Sequence, residues 1–164
     1  MNIPPLKKKR TPTNPNSRNL DPNYTAKRIK IQFDFVPTVS QQEIYDSVFT
    51  HGTKYIIANL SRQQGKTTII KAIVCKWFFD RGHRIGYVTP TKTLAKNIYE
   101  ELKEQLGLVI SKSDGIYHTL TNGWTGSHLS FFSAEQADAI RGQTFDYLII
   151  DEAAFMKSDP ENDR

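Results

Sequence analysis

Cysteine is nearly absent from this chain of 164 residues: Cys75 stands alone, so no disulfide can form within it, and that usage fits a reducing compartment. The four histidines, His51, His83, His118 and His128, show no zinc-type spacing and are assigned no metal. No apolar run approaches the roughly 18–20 residues needed to cross a bilayer, and the N-terminus carries no signal-type apolar stretch. Acidic residues are almost missing from the first 30 positions, where eight Lys/Arg face a single Asp for a net +7. The remaining residues balance to −2, so the overall +5 belongs to an arm and not to a folded body.

Residues 1–28 are rich in Pro, Asn, Lys and Arg and lack hydrophobic periodicity, which predicts a disordered basic arm. Its chemistry suits plain solvation or non-specific contact with nucleic-acid phosphates, and Pro5–Arg10 also has the composition of a nuclear import signal. Hydrophobic content of 38% and charged content of 24% in the chain as a whole are ordinary for one globular domain, placed here at 29–164.

What is present is a pair of sites in order. Tyr55-Ile56-Ile57-Ala58 reads as a buried strand, and Lys66–Phe79, with Ile69, Ile70, Ile73, Val74, Trp77 and Phe78 at helical spacing, reads as a helix. Ser61-Arg62-Gln63-Gln64-Gly65-Lys66-Thr67-Thr68 therefore sits at a strand-to-helix turn, where free backbone N–H groups point at an anion. Tyr147-Leu148-Ile149-Ile150 reads as a second buried strand, ending in the carboxylates Asp151 and Glu152. Together these are the two halves of a nucleoside-triphosphate site.

Between and before them the elements alternate. Ser40 with Glu43 reads as a capping box, and Val39 with Ile44 as a hydrophobic staple, at the start of a helix that Gly52 ends. Ile85-Gly86-Tyr87-Val88 reads as a strand, and Thr91 caps a helix carrying Leu94, Ile98, Leu102 and Leu106. Short links between these predict a mainly parallel, doubly wound α/β sheet flanked by helices. Ile116–Leu120 and Leu129–Phe132, around the turn pair Asn122-Gly123, read as an antiparallel excursion at its edge.

The residue types fit phosphoryl transfer. The Lys66 ammonium suits β- and γ-phosphate oxygens, Thr67 offers a hydroxyl ligand to Mg²⁺, and Asp151 offers a carboxylate to the same ion. Glu152 suits the orientation or deprotonation of water. Arg62 suits developing γ-phosphate charge, with a loop salt bridge as its competing role; Gln41 suits an adenine edge, with Gln42 or a purely structural pair as alternatives. One feature departs from the usual pattern: the glycine that ordinarily opens such a loop is Leu60, so Leu60–Gln64 must bend without it.

Pro37–Gln41, Ser61–Thr67, Tyr87–Thr91, Asn122-Gly123, Arg141-Gly142 and Tyr147–Phe155 occur in an order that resembles the ATPase domain of large terminase subunits, the DNA-packaging motors of tailed bacteriophages. The resemblance covers about residues 31–157. It implies a P-loop fold of the helicase-like, additional-strand type, possibly incomplete in its sheet. It also implies ATP and Mg²⁺ as ligands and ATP hydrolysis coupled to movement of double-stranded DNA into a procapsid. By position it implies that Ser61, Arg62, Gln63, Gln64, Gly65, Lys66, Thr67 and Thr68 cradle phosphate, that Thr67 and Asp151 hold metal, that Glu152 is the catalytic carboxylate, that Arg62 is an arginine finger, and that Gln41 contacts adenine. The partners it implies are DNA, a portal protein, a small terminase subunit and further copies in a ring, in the cytoplasm of a bacterial host. The nuclease domain of that family is not expected within 164 residues. A superfamily 2 helicase or translocase shares the glutamine, the loop and the Asp-Glu pair, and a nucleotide-binding remnant without turnover fits them too.

Deleting residues 1–28 is expected to abolish weak, salt-sensitive binding to double-stranded DNA, measured by fluorescence anisotropy across a salt series. Equal binding with and without the arm contradicts this.

Overall fold

A helix cap sets the first element. In the computed structural model, which describes residues 36–61, 63–80 and 82–156, Thr38 accepts from the Gln41 backbone N–H while Gln41 Oε1 accepts from the Thr38 N–H at 2.8 Å. This reciprocal pair starts α1 (Val39–Phe49) two residues earlier than the Ser40–Glu43 box predicts. Val39 consequently lies inside the helix on its solvent side, exposed, and forms no staple.

The second helix, α2 (Lys66–Phe79), buries Ile69, Ile73, Val74, Cys75 and Phe78. Burial pushes the Cys75 thiol up to about 12, partly offset by Lys71, so the group is an inert packing element. Strand β1 (Arg84–Thr89) follows after a short link and is buried along all but its first residue. Thr91 caps α3 (Lys92–Leu106) through the Leu94 N–H, as its position predicts, and Ala95, Ile98, Tyr99, Leu102 and Leu106 form the inward face.

Strands β2 (Ile110–Asp114), β3 (Thr119–Asn122), β4 (His128–Ser133) and β5 (Tyr147–Ile150) complete a mixed sheet in the order β2-β3-β4-β1-β5. The expected antiparallel excursion is β2-β3-β4, but its first strand is Ile110–Asp114, while Ile116–His118 form the turn. Asn122 orders the next turn by accepting from the Trp124 and Thr125 N–H groups, and its own amide donates to the Phe78 carbonyl at the end of α2. The two parallel pairings are β1 with β4 and β1 with β5.

Register divides the residues between two faces. Tyr87 aligns with Phe131 on one side and Ile149 on the other, so Ile85, Tyr87, Leu129, Phe131, Tyr147 and Ile149 share a face. Helices pack there: Tyr99 of α3 meets Phe131 edge-on at 5.7 Å, and Trp77 of α2 stacks on Tyr147 at 4.0 Å with planes 3° apart. Lys71 and Glu101 join α2 to α3 by an ion pair. On the opposite face Phe145 covers Gly86, whereas Leu148 and Ile150 remain 49% and 54% exposed.

The strand expected at Tyr55–Ala58 is not formed. These residues lack ladder hydrogen bonds, and Tyr55 and Ile57 are 81% and 97% exposed. A fully apolar run of this kind suits a strand buried on both faces, and the open face of β5 offers cover on one side only. The fold is thus a mixed α/β sheet with helices against it, carrying four strands of the expected plan and one not anticipated.

His128 Nδ1 lies 3.1 Å from Thr121 Oγ1, and burial, then Arg84 and Lys112, lower its pKa from the usual 6.5. The unfolded chain therefore binds more protons, so His128 contributes stability above about pH 6.5 that is lost as pH falls through the lowered value. Urea midpoints between pH 7.5 and 5 are expected to decline, and less steeply in His128→Asn.

Candidate functional site

Helix direction brings the loop before α2 to a particular edge of the sheet. Trp77, near the end of α2, stacks on Tyr147, the first residue of β5, and the short link from Phe79 to Arg84 reverses the chain into β1. The start of α2, roughly 16 Å away along its axis, therefore lies toward the carboxyl ends of β1 and β5. Thr89 ends β1 and Asp151 directly follows β5. In α/β sheets, that edge is where ligands bind.

The loop is held from α1. Gln41, itself buried, donates from Nε2 to the carbonyls of Gln64 at 3.2 Å and Gly65 at 3.1 Å. Gln64 in turn accepts the Ser61 N–H at 3.1 Å. Both ends of the Gln41 amide are thus engaged, Oε1 in the helix cap and Nε2 on the loop, and Gln42 faces solvent with its amide on Asp46. Within the loop Gln63 adopts φ 65°, a left-handed value that disfavours a side chain by roughly 1–2 kcal/mol. Gly65, at φ 69°, is the N-cap of α2 with no side chain capping it. The first-turn N–H groups of Lys66, Thr67 and Thr68 have no partner among the described residues, and such a helix start can receive an anion. Arg62 lies outside the described residues.

The two carboxylates diverge. Asp151 continues the parallel ladder through its N–H to the Val88 carbonyl at 2.9 Å, and its side chain is 4% exposed on the helix-covered face. Tyr87, fully buried two residues before the end of β1, donates its hydroxyl to Asp151 Oδ2 at 2.8 Å. Burial first, then the Asp151 charge, hold that hydroxyl far above its ordinary pKa. Glu152 takes φ 53°, ψ 39°, which turns the chain out of the strand and leaves its carboxylate exposed. Adjacent acids therefore occupy different environments, one buried and hydrogen-bonded and one exposed.

Tyr87 and Thr89 were not singled out as site residues by sequence. Their signal is the two-residue alternation of β1 leading to its carboxyl end, which is informative only once the pairing with β5 is known. Thr89, buried, donates to the Thr91 carbonyl at 2.9 Å and shapes the turn into α3. A surface depression of about 680 Å³ lies along α3 and is lined by Asn97, Glu100, Glu101, Lys103, Glu104 and Gly107, none of them a candidate site residue.

Among the described residues no three His, Cys, Asp or Glu side chains gather to hold a metal. A divalent ion at Asp151 would need phosphate oxygens and water to complete its shell, as Mg²⁺ usually does.

Residues 57–163 match the family described as the N-terminal part of the terminase large subunit, T4likevirus type. The chain belongs to that family. Curated relatives include the tripartite terminase subunit 3 of human herpesvirus 8, 32% identical over 108 residues that make up 61% of this chain and 16% of that protein. The same subunit of varicella-zoster virus is 29% identical over 137 residues, 76% of this chain and 18% of the relative. The chain thus spans less than a fifth of the length of these relatives. The terminase match takes in the loop, all five strands and Asp151-Glu152, but begins after α1 and Gln41.

A Cβ at Gly65 would collide with Gln41 Nε2 and sit at an unfavourable φ. Gly65→Ala is expected to lose about 1–2 kcal/mol in urea unfolding. Combined with Gln41→Ala, which removes the colliding group, the loss should be less than the sum of the two.

Proposed function

We propose that this chain is the nucleotide-hydrolysing part of a viral DNA-packaging terminase, using ATP and Mg²⁺ to drive double-stranded DNA into a procapsid. What supports this best is the pairing of a clamped helix start that no side chain caps with a buried aspartate following β5, both inside the segment that matches the terminase family.

The side-chain roles follow from their surroundings. Ser61 to Thr68 wrap the phosphates, with the N–H groups of the first α2 turn supplying fixed positive potential. Lys66 holds the β- and γ-phosphate oxygens as a point charge. Asp151 and Thr67 are the residues that would hold magnesium, which when bound neutralises phosphate charge as the γ-phosphoryl group leaves. Glu152, exposed and turned out of the strand, orients the attacking water and takes its proton. Arg62 is assigned the γ-phosphate charge that develops in the transition state.

The Gln41 reading changes its emphasis. With its amide on the Gln64 and Gly65 carbonyls, its role here is to hold the loop, and an adenine contact requires that amide to let go. Terminase membership favours packaging over the helicase alternative. A portal protein, a small terminase subunit and a ring of copies are proposed as partners by the same membership. The named relatives are herpesviral, so phage origin and a bacterial cytoplasm draw no support from them.

Lys66→Ala is expected to weaken ATP binding at least tenfold, read with a fluorescent ATP analogue. Glu152→Gln is expected to keep binding and to slow phosphate release by about 10²-fold or more. A wild-type chain that binds no ATP removes the reading. One that binds ATP yet hydrolyses it no faster than Glu152→Gln leaves the nucleotide-binding remnant in its place.

A further inference from the structure

Asp151 sits on the helix-covered face at 4% exposure, where an ionised carboxylate requires partners for its oxygens. Its Oδ2 has one, the Tyr87 hydroxyl at 2.8 Å. Its Oδ1 makes no hydrogen bond or ion pair among the described residues. The backbone of Asp151 is held by the Val88 carbonyl, so the remaining freedom is rotation of the carboxylate about its own bonds. Tyr87 removes that freedom. Its ring is fully buried, stacked on Phe131 at 5.8 Å and 28°, and Phe131 is held edge-on by Tyr99 of α3. A phenol so placed is a fixed donor that claims one carboxylate oxygen and leaves the other to a single ligand.

We propose that Tyr87 is the positioning residue of the metal site: by fixing Asp151 Oδ2 it presents Oδ1, in one orientation, to the magnesium that accompanies the nucleotide. This rests on the ATPase reading above and gives a role to a residue that the loop and carboxylate motifs leave without one. Aromatic packing from α3 thereby sets metal affinity without any contact between α3 and the ion. Support of this kind around metal ligands typically alters affinity by about 10–100-fold.

The test uses the full chain and a fluorescent ATP analogue, with two readouts: analogue affinity in EDTA, and the Mg²⁺ concentration giving half of the magnesium-dependent gain in affinity. Tyr87→Phe keeps the ring and deletes the donor. It is expected to leave the EDTA affinity within about twofold and to raise the magnesium midpoint about 10–100-fold. An unchanged midpoint in a Tyr87→Phe chain with wild-type circular dichroism overturns the proposal. A second variant places p-aminophenylalanine at 87, which keeps ring and donor together. Its midpoint is expected within about threefold of wild type, and one raised as far as that of Asp151→Asn also overturns the proposal, whether or not Tyr87→Phe folds. If the wild type binds no analogue, or Asp151→Asn leaves its magnesium dependence intact, the underlying site reading fails instead, and the two failures are distinct.

Discussion

Parallel pairing of β5 with β1 in one register is the constraint on which the candidate site depends. With Tyr87 opposite Ile149, the next step of the ladder brings Asp151 level with Thr89 and onto the face that α2 and α3 cover. A slip of one residue would send Asp151 to the open face and Glu152 to the buried one, exchanging their environments. The Trp77–Tyr147 stack opposes that slip, because the first residue of β5 is fitted between the end of α2 and His83. The same stack, with the Lys71–Glu101 ion pair and the Asn122 bond to the Phe78 carbonyl, holds α2 against the sheet.

The loop itself is shaped by a compromise. Gln63 is held in a left-handed conformation, and that strain is offset by hydrogen bonds from Gln41 and Ser61 that hold the loop carbonyls and Gln64 in place. Gln41 serves two structures with one amide, the cap of α1 and the turn before α2. Movement of the loop is therefore tied to the start of α1, and any ligand that drew the Gln41 amide away would release both.

The outer side of β5 is the least settled part of the sheet. Its ladder edge opposite β1 pairs with nothing among the described residues, Leu148 and Ile150 are half exposed, and Tyr55–Ala58 forms no strand. Parallel strands are stable when covered on both faces, and apolar edges left open invite association. The terminase relatives named above are about six times the length matched here.

Local rules sufficed for much of this. The apolar spacing of Lys66–Phe79 and Lys92–Leu106, the Thr91 cap, the strand at Tyr147–Ile150 and the ordered loop and carboxylate motifs are all visible in sequence, because helix periodicity, capping and short motifs are properties of neighbouring residues. The Thr38–Gln41 box was missed because Ser40–Glu43 satisfies the same pattern two residues later, and β2 because Ile110–Asp114 is polar and mostly exposed at an edge. Tertiary structure decided what depends on residues far apart: that Gln41 grips the loop, that Tyr55–Ala58 finds no partner, and that Tyr87 binds Asp151 across 64 positions of chain. Chemical identity is written locally, whereas the aim of a side chain is set by strand register and helix packing, which no single stretch of sequence contains.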